Sequence, residues 1–190
     1  PPLTTADGRP TNVLHGFLTM LFKLEQEQQP DYWVVAFDKT KATVRIEQYA
    51  GYKAQRKETP EGLRPQFDYL KEILKEMNVP ILELAGYEAD DLIAAITKQA
   101  EAQGMEIQIY TGDKDALQLI SPKTNVYLTK KGISEVECYD ETALWERYQL
   151  RPLQIIDLKG LMGDTSDNIP GVPGIGEKTA LKLLWEFENV

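Results

Sequence analysis

Histidine and cysteine are almost absent from this chain of 190 residues, with His15 and Cys138 the only ones of their kind. One cysteine forms neither an internal disulfide nor a thiolate metal cluster, and a single histidine argues against a His-dependent triad or a zinc site. The chain also lacks an apolar run of transmembrane length and a signal peptide. These absences predict a cytoplasmic protein with no membrane partner. The opening PPLTTADGRP has no initiator Met, which predicts a piece of a longer polypeptide.

Basic residues are also scarce, because 21 Lys and Arg face 30 Asp and Glu, a net charge of −9. That balance disfavours a protein that coats nucleic acid without specificity. The basic residues nevertheless concentrate between residues 39 and 57, where Glu47 is the only acid. They are Lys39, Lys41, Arg45, Lys53, Arg56 and Lys57. The segment is either a solvated surface loop or a surface that receives phosphate.

Strand and helix patterns alternate along the first two thirds of the chain. Short segments rich in Val, Ile, Tyr and Trp predict strands over 31–38, 79–84 and 105–113. Apolar residues three and four apart predict helices over 13–28, 64–77 and 88–104. This order predicts an α/β fold with a mostly parallel central sheet and flanking helices.

The last third is helical, with helices predicted over 142–150, 154–163 and 177–187. A turn rich in Pro and Gly, DNIPGVPGIG, separates the last two. We therefore divide the chain into an α/β core, residues 1–150, and a helical region that begins at 151 and continues to 190.

Carboxylates follow each predicted strand. They are Asp38 after the first, Glu88, Asp90 and Asp91 after the second, Asp113 and Asp115 after the third, and Asp164 and Asp167 in the later sequence GDTSDN. The carboxyl ends of parallel strands share one edge of the sheet, where ligands bind in open α/β folds. Any one of these residues alone is explained as a helix cap or a turn residue. Eight around one cleft would repel each other and imply hard cations such as Mg²⁺ or Mn²⁺.

Two ions fit this number of carboxylates better than one, because a single Mg²⁺ takes only one or two from the protein. Two ions about 3.5–4 Å apart hold the attacking and leaving oxygens of an in-line phosphoryl displacement. The nucleophile would then be a metal-activated water. This hypothesis predicts that Glu88, Asp113, Asp115 and Asp164 form one cluster.

The sequence GVPGIGEKT, residues 171–179, is not a P-loop, because Glu177 separates Gly176 from Lys178 and no strand precedes it. The amides from Gly174 to Glu177 open the last helix, where they and Lys178 would bind a phosphate without reading base sequence. A simple turn between two helices is the alternative.

Several motifs together resemble the 5′-nuclease domains of bacterial DNA polymerase I, within the flap endonuclease family. The motifs are FD with Asp38, YKAQR, GYEADD, GDKD, GDTSDN and GVPGIGEKTA. The resemblance implies a PIN-like fold, a helical arch over the active site and a C-terminal helix-hairpin-helix that grips duplex DNA. It also implies two divalent metals, Mg²⁺ with Mn²⁺ as a substitute, and removal of nucleotides or flaps from 5′ ends.

The same resemblance implies roles for individual residues. One ion would be surrounded by Glu88, Asp90, Asp91 and Asp113, and the other by Asp115, Asp164 and Asp167, while Asp38 would act through bound water. Lys53 and Arg45 would be catalytic and, with Arg56, would steer and polarise the scissile phosphate. The remaining DNA contacts would be Tyr52, Lys57, Gly174, Gly176 and Lys178. The expected partner is DNA with a 5′ flap, nick or branch, bound by a monomer that is compatible with fusion to a polymerase domain.

Two features depart from the family pattern. Family members begin with an apolar strand that ends in Asp-Gly, but the residues before Asp7 and Gly8 are no strand. A protein that starts at Pro1 would expose sheet edges and lack one carboxylate, so we expect it to be poorly soluble and nearly inactive on flap DNA. Val44 and Ile46 stand where related domains often carry Phe and His, which leaves the contacts of the arch open.

Two other functions remain open at this point. A Mg²⁺-dependent enzyme of the primase/topoisomerase type pairs one Glu with Asp-x-Asp, which explains Glu88, Asp113 and Asp115 but not GDTSDN or the glycine turn. A non-catalytic module that binds DNA structure is the second alternative, and the missing first strand favours it.

Overall fold

A computed structural model of the chain describes residues 3–40, 43–58, 60, 62–129 and 135–190. Pro1 and Lys41 lie outside this part. The helices are α1 (Asn12–Gln28), α2 (Val44–Gln48), α3 (Arg64–Glu76), α4 (Ala89–Ala102), α5 (Glu141–Tyr148), α6 (Gln154–Met162) and α7 (Glu177–Phe187), with a 3₁₀ helix over Lys114–Leu119. The strands are β1 (Val35–Ala36), β2 (Ile81–Leu82), β3 (Ile107–Thr111), β4 (Thr124–Thr129) and β5 (Val136–Tyr139). The predicted α/β character is confirmed.

The strands form two small sheets rather than the single sheet that was predicted. β1 pairs with β2 in parallel, β3 pairs with β4 in parallel, and β5 joins β4 antiparallel. The described residues place no hydrogen-bonded strand between the two sheets. The sequence interpretation missed β4 and β5, although Thr124, Val126 and Leu128 are buried and alternate with half-buried neighbours in the period of a strand. The parallel part of the fold is therefore smaller than expected.

Two apolar clusters form the core, one beneath each sheet. The smaller cluster joins α1, α3 and the segment that leads into β2 through Leu21, Leu70, Leu74 and Val79. The larger cluster joins β3 and β4 to the last three helices, and its fully buried members include Val126, Leu144, Leu150 and Ala180. Helix α4 contacts both β1 and β3. Its first residue, Ala89, donates to Asp38, so the N-terminal end of α4 lies beside the segment that follows β1.

The segment between α6 and α7 contains a closed loop over residues 163–171. Asp164 and Ile169 exchange backbone hydrogen bonds of 2.8 Å in both directions. Gly163 and Gly171 meet at the base of the loop with φ angles of +75° and +65°. A Cβ atom on Gly171 would lie 2.3 Å from the Gly163 nitrogen. Only glycine fits both positions, since each lies in the left-handed region with backbone directly against it.

Within the described residues, no helix combines the length and the apolarity that crossing a bilayer requires.

Candidate metal centre and nucleic-acid interface

Two turns that are distant in sequence pack against each other beside the N-terminal end of α4. The first, residues 49–56, carries YKAQR and is called the lysine turn here; the second, residues 163–168, carries GDTSDN and is called the aspartate turn. The Lys53 amide donates to the Asp167 carbonyl over 3.0 Å, and the Gln55 side chain donates to the Thr165 carbonyl over 2.7 Å. The basic segment and the last acidic motif therefore form one surface.

Asp115, Asp164 and Asp167 form a carboxylate cluster, in which one oxygen of each lies within 4.8 Å of the others. The Lys159 ammonium stands among them, 2.6 Å from Asp115 Oδ1 and 2.5 Å from Asp164 Oδ2. Sequence reasoning missed Lys159, although a lysine on the mostly apolar helix α6, five residues before Asp164, is a signal that could have identified it. The lysine partly neutralises the cluster.

The pKa values in this cluster follow from burial opposed by Lys159. Burial raises the pKa of Asp115, and the Lys159 contact only partly opposes it. Burial also acts to raise the pKa of Asp164, but hydrogen bonds from Lys159 and Ser166 outweigh it and lower the value to about 2. Asp164 is therefore ionised over the whole physiological range and is ready to bind a cation.

Glu88 belongs to one predicted ion group and Asp167 to the other, and the Tyr52 side chain connects these two carboxylates. The Tyr52 hydroxyl lies 2.9 Å from Glu88 Oε2 and 3.0 Å from Asp167 Oδ2. A phenol has one proton and donates to only one of the two at a time. Lys53 Nζ is also 2.9 Å from Glu88 Oε2. Tyr52, predicted to contact DNA, is only 7% exposed and in this arrangement supports the carboxylates.

Arg45 and Asp91 form a two-pronged ion pair with both N–O distances at 2.7 Å. Asp91 also accepts from the Glu88 amide over 2.9 Å and so caps the first turn of α4. The Arg45 hydrogen bonds hold the pKa of Asp91 below its ordinary value. Both residues lie next to Glu88, as predicted site residues should, but in this arrangement they pair with each other and hold α2 against α4.

Asp38 and Asp113 also act as caps. Asp38 accepts from the Ala89 amide over 2.7 Å, and Asp113 accepts from the Asp115 amide over 2.9 Å. Desolvation, together with repulsion from Asp113 and Asp38, raises the pKa of Asp90 to about 6, although the residue as a whole is exposed. Asp38, Asp90 and Asp113 therefore lie near enough to one another for their charges to interact.

Replacing Asp90 with asparagine is expected to stabilise the metal-free protein at pH 7.5 but not at pH 4. The folded state raises the pKa of Asp90 from 3.8 to about 6, so the unfolded chain releases this proton first. The protonated Asp90 carboxyl therefore makes its full contribution to the free energy of unfolding below pH 3.8, and this contribution is lost as the pH rises through 6. Urea unfolding in a chelator at both pH values measures the effect, with Asp68→Asn on α3 as the control. Equal changes at the two pH values would contradict the prediction.

The other predicted DNA contacts lie on the surface. Arg56 is 2.5 Å from Asp167 Oδ1, whereas Lys57 and Lys178 are exposed. Gly174 has a φ of +81° that favours glycine, and Gly176 precedes α7 with an extended backbone and open space where a Cβ would be. The start of α7 is therefore accessible to a large anion.

The carboxylate cluster suits a divalent cation. Asp115 Oδ1 is buried and receives no hydrogen bond among the described residues, so Lys159 meets it as an ion pair only. Carboxylate oxygens are the donors that Mg²⁺, Mn²⁺ and Ca²⁺ prefer, and three of them converge here from different elements. The residues present thus fit a hard metal ion.

Two family matches together cover the whole sequence. The family described as 5′-3′ exonuclease, N-terminal resolvase-like domain, matches residues 1–149, and 5′-3′ exonuclease, C-terminal SAM fold, matches residues 150–190. DNA polymerase I of Bacillus caldotenax is 50% identical over all 190 residues, and that of Bacillus subtilis (strain 168) is 46% identical over the same length. The chain spans 22% of the length of each of these relatives.

Solved structures agree with the sequence matches. T5 5′-exonuclease with bound zinc ions is 29% identical with a TM-score of 0.76, over 92% of this chain and 67% of that chain. The catalytic core of Rad2 in complex with DNA is 22% identical with a TM-score of 0.63, over 93% of this chain and 53% of that chain, and supports the fold alone. The resemblance drawn from the motifs is confirmed. Since the two family matches span every residue of the sequence, this chain belongs to the 5′-3′ exonuclease family.

Proposed function

We propose that the chain hydrolyses DNA phosphodiesters as a structure-specific 5′ to 3′ exonuclease and flap endonuclease. One observation carries this proposal: Asp115, Asp164 and Asp167 converge beside a basic turn whose Lys53 reaches the neighbouring carboxylate Glu88. Family membership supports it, as do the T5 exonuclease structures with divalent metal ions. Because the chain is 50% identical to part of a DNA polymerase I, the proposal includes a role as the N-terminal nuclease domain of such an enzyme.

The proposed mechanism uses two Mg²⁺ ions, with Mn²⁺ as a substitute. Glu88, Asp90, Asp91 and Asp113 would hold one ion, and Asp115, Asp164 and Asp167 the other, with Asp38 acting through water. When bound, such ions supply an activated water and stabilise the leaving oxygen. Lys53, Arg45 and Arg56 would stabilise the negative charge that develops on the phosphate. Each now pairs with a carboxylate, so each reaches a phosphate by exchanging that partner.

The duplex would be held by the pair of helices α6 and α7 acting as a helix-hairpin-helix. The amides at Gly174 and Gly176 and the Lys178 side chain would bind phosphates, while Lys57 adds a second positive contact near the cleft. Such contacts position DNA without reading its sequence. The expected substrate is a duplex with a 5′ flap, nick or branch, bound by a monomer.

Cleavage of a 5′-flap duplex in a titration of Mg²⁺ and Mn²⁺ tests the proposal. A blunt duplex and a circular single strand serve as control substrates. The chain is expressed both as given and with an amino-terminal extension that carries an apolar strand ending in Asp-Gly. We expect the extended form to release the flap in a metal-dependent way, the form as given to be nearly inactive, and neither form to cut the circle. Binding without cleavage under every metal condition would favour a DNA-binding module, and cleavage without need of a 5′ end would favour a different phosphotransfer enzyme.

Replacing Gly176 with leucine is expected to weaken duplex binding about tenfold, for all sequences alike. The substitution fits the fold, because the backbone at Gly176 is extended and its Cβ would point into open space. The side chain would keep a phosphate from the amides, and a hydrogen bond to a charged group contributes about 1.5–3 kcal/mol. Anisotropy titrations with two duplexes of unrelated sequence measure the loss.

Gly160→Leu is the control for this experiment, because Gly160 is exposed on α6 with open space around its Cβ position. A loss confined to one duplex sequence, or an equal loss in the Gly160 variant, would count against a backbone clamp at the start of α7.

A further inference from the structure

We infer that Asn168 is a positioning residue for cleavage, because it fastens the lysine turn to the aspartate turn. The inference rests on the proposed function for its effect on rate. It concerns a residue that touches neither of the predicted ion groups through its side chain, and it explains how Lys53 is held.

Asn168 contacts the lysine turn twice. Its Nδ2 donates to the Gly51 carbonyl over 2.7 Å, and its own carbonyl accepts from the Tyr49 hydroxyl over 3.1 Å. These contacts connect residues that are 117 and 119 positions apart in sequence. The two partners, Gly51 and Tyr49, lie two and four positions before Lys53. The contacts therefore fix the position of the backbone that leads into Lys53.

Lys53 has a backbone that needs such support. Its φ of +54° lies in the left-handed region, which lysine rarely adopts. Residues in such conformations persist when the surrounding structure fixes them, and they cluster at functional sites. The Lys53 amide donates to the Asp167 carbonyl, and Gln55 holds the far side of the turn through Thr165. Asn168 supplies the attachment on the near side.

Asparagine suits position 168 for two reasons. Its φ is +60°, and Asn is among the few residues with a side chain that accept this region readily. Its short amide also reaches the Gly51 carbonyl directly. Gly51 in turn lies against the Tyr49 ring, since a Cβ there would come within 2.5 Å of ring atoms. Tyr49, Gly51 and Asn168 thus form one packed contact.

The link also connects Lys53 to the carboxylates. Asn168 directly follows Asp167, whose side chain belongs to the carboxylate cluster and whose carbonyl receives the Lys53 amide. Loosening the contact would let the Lys53 ammonium drift relative to the bound phosphate. Misplacement of a reacting group by about 1 Å can cost about 10²-fold in rate. DNA affinity, which draws on several other basic residues, would change little.

Asn168→Gly tests this role cleanly, because glycine accepts the same positive φ and removes only the side-chain donor. Asn78→Gly is the matched control: Asn78 is exposed after α3, and its φ is +56°. Single-turnover cleavage of flap DNA, DNA affinity, and hydrogen exchange of the lysine turn are measured for the unaltered chain and both variants. The same rates are measured in a Lys53→Ala background.

We expect Asn168→Gly to lower the cleavage rate by about 10- to 100-fold, with affinity within about twofold, since the misplaced group acts in the chemical step. Exchange should increase in residues 49–56 and nowhere else in the core, and the rate effect should largely disappear once Lys53 is alanine. An unchanged rate, an equal loss of affinity, or the same fold-loss in the Lys53→Ala background would overturn the inference. If the chain does not cut DNA even with the amino-terminal extension, the proposed function fails, and the exchange data still decide whether Asn168 holds the turn.

Discussion

Replacing Lys53 with alanine is expected to reduce the rate of flap cleavage by about 10²–10³-fold, a loss typical for one group that stabilises transition-state charge. Affinity for DNA should stay within about threefold, because only one of several basic contacts is removed. An interaction that is stronger in the transition state than in the bound substrate accelerates the chemical step without adding much affinity. Single-turnover rates and equilibrium titrations on the same flap duplex separate the two quantities.

The position of Lys53 requires a further control. Its ammonium lies 2.9 Å from the buried Glu88 carboxylate, so the alanine variant also changes the charge around a predicted metal ligand. The rate is therefore compared at saturating metal, after a titration for each variant. Lys98→Ala, an exposed lysine on α4, controls for loss of one positive charge. Equal losses of rate and affinity would make Lys53 a simple backbone contact.

Replacing Gly171 with alanine should destabilise the protein by about 3 kcal/mol. The left-handed backbone at φ +65° costs an alanine about 1–2 kcal/mol, and overlap in a packed site adds about 1–3 kcal/mol. The new Cβ would lie 2.3 Å from the Gly163 nitrogen and 2.5 Å from the Met162 carbonyl carbon. For a chain of this size, such a loss lowers the melting temperature by about 6–12 °C.

Two other glycines provide matched controls for this prediction. Gly174 has a φ of +81° but open space around its Cβ position, so alanine there should cost only the backbone strain of about 1–2 kcal/mol. Gly160 lies inside α6 with open space, so alanine there should stabilise by about 0.5–1 kcal/mol. Thermal unfolding of the three variants ranks them. If Gly171→Ala and Gly174→Ala lose the same stability, contact between the two glycines is not what closes the loop.

Local patterns in the sequence were sufficient for most helices and for the acidic motifs. The apolar spacing of α3 and α4 and the position of Asp113 after a strand are properties of neighbouring residues, and the structure reproduces them. Pairing partners are not local properties. The division into two sheets and the antiparallel strand β5 depend on contacts between segments far apart, and nothing within residues 31–38 or 79–84 specifies them.

The details of the centre show the same limit. The family resemblance implied that Glu88 and Asp167 would belong to neighbouring ion groups, but it did not imply that Tyr52 would be buried between them. Lys159 was missed because a lone lysine on a helix is usually solvated, and only the folded chain brings it to Asp115. In the same way, Gly163 and Gly171 reveal their contact only after the loop closes.

The attachment of the lysine turn to the aspartate turn determines when the centre forms during synthesis. The contacts between the turns join residues separated by 110 to 119 positions. A ribosome that adds about 5–20 residues per second needs about 6–24 s to travel that distance. Throughout this interval, the lysine turn has been synthesised while the aspartate turn does not yet exist. Closing so long a segment also carries an entropic cost that local helices avoid. The centre is therefore among the last parts of the molecule to be completed, so a nascent chain does not bring the two turns together until the aspartate turn has emerged.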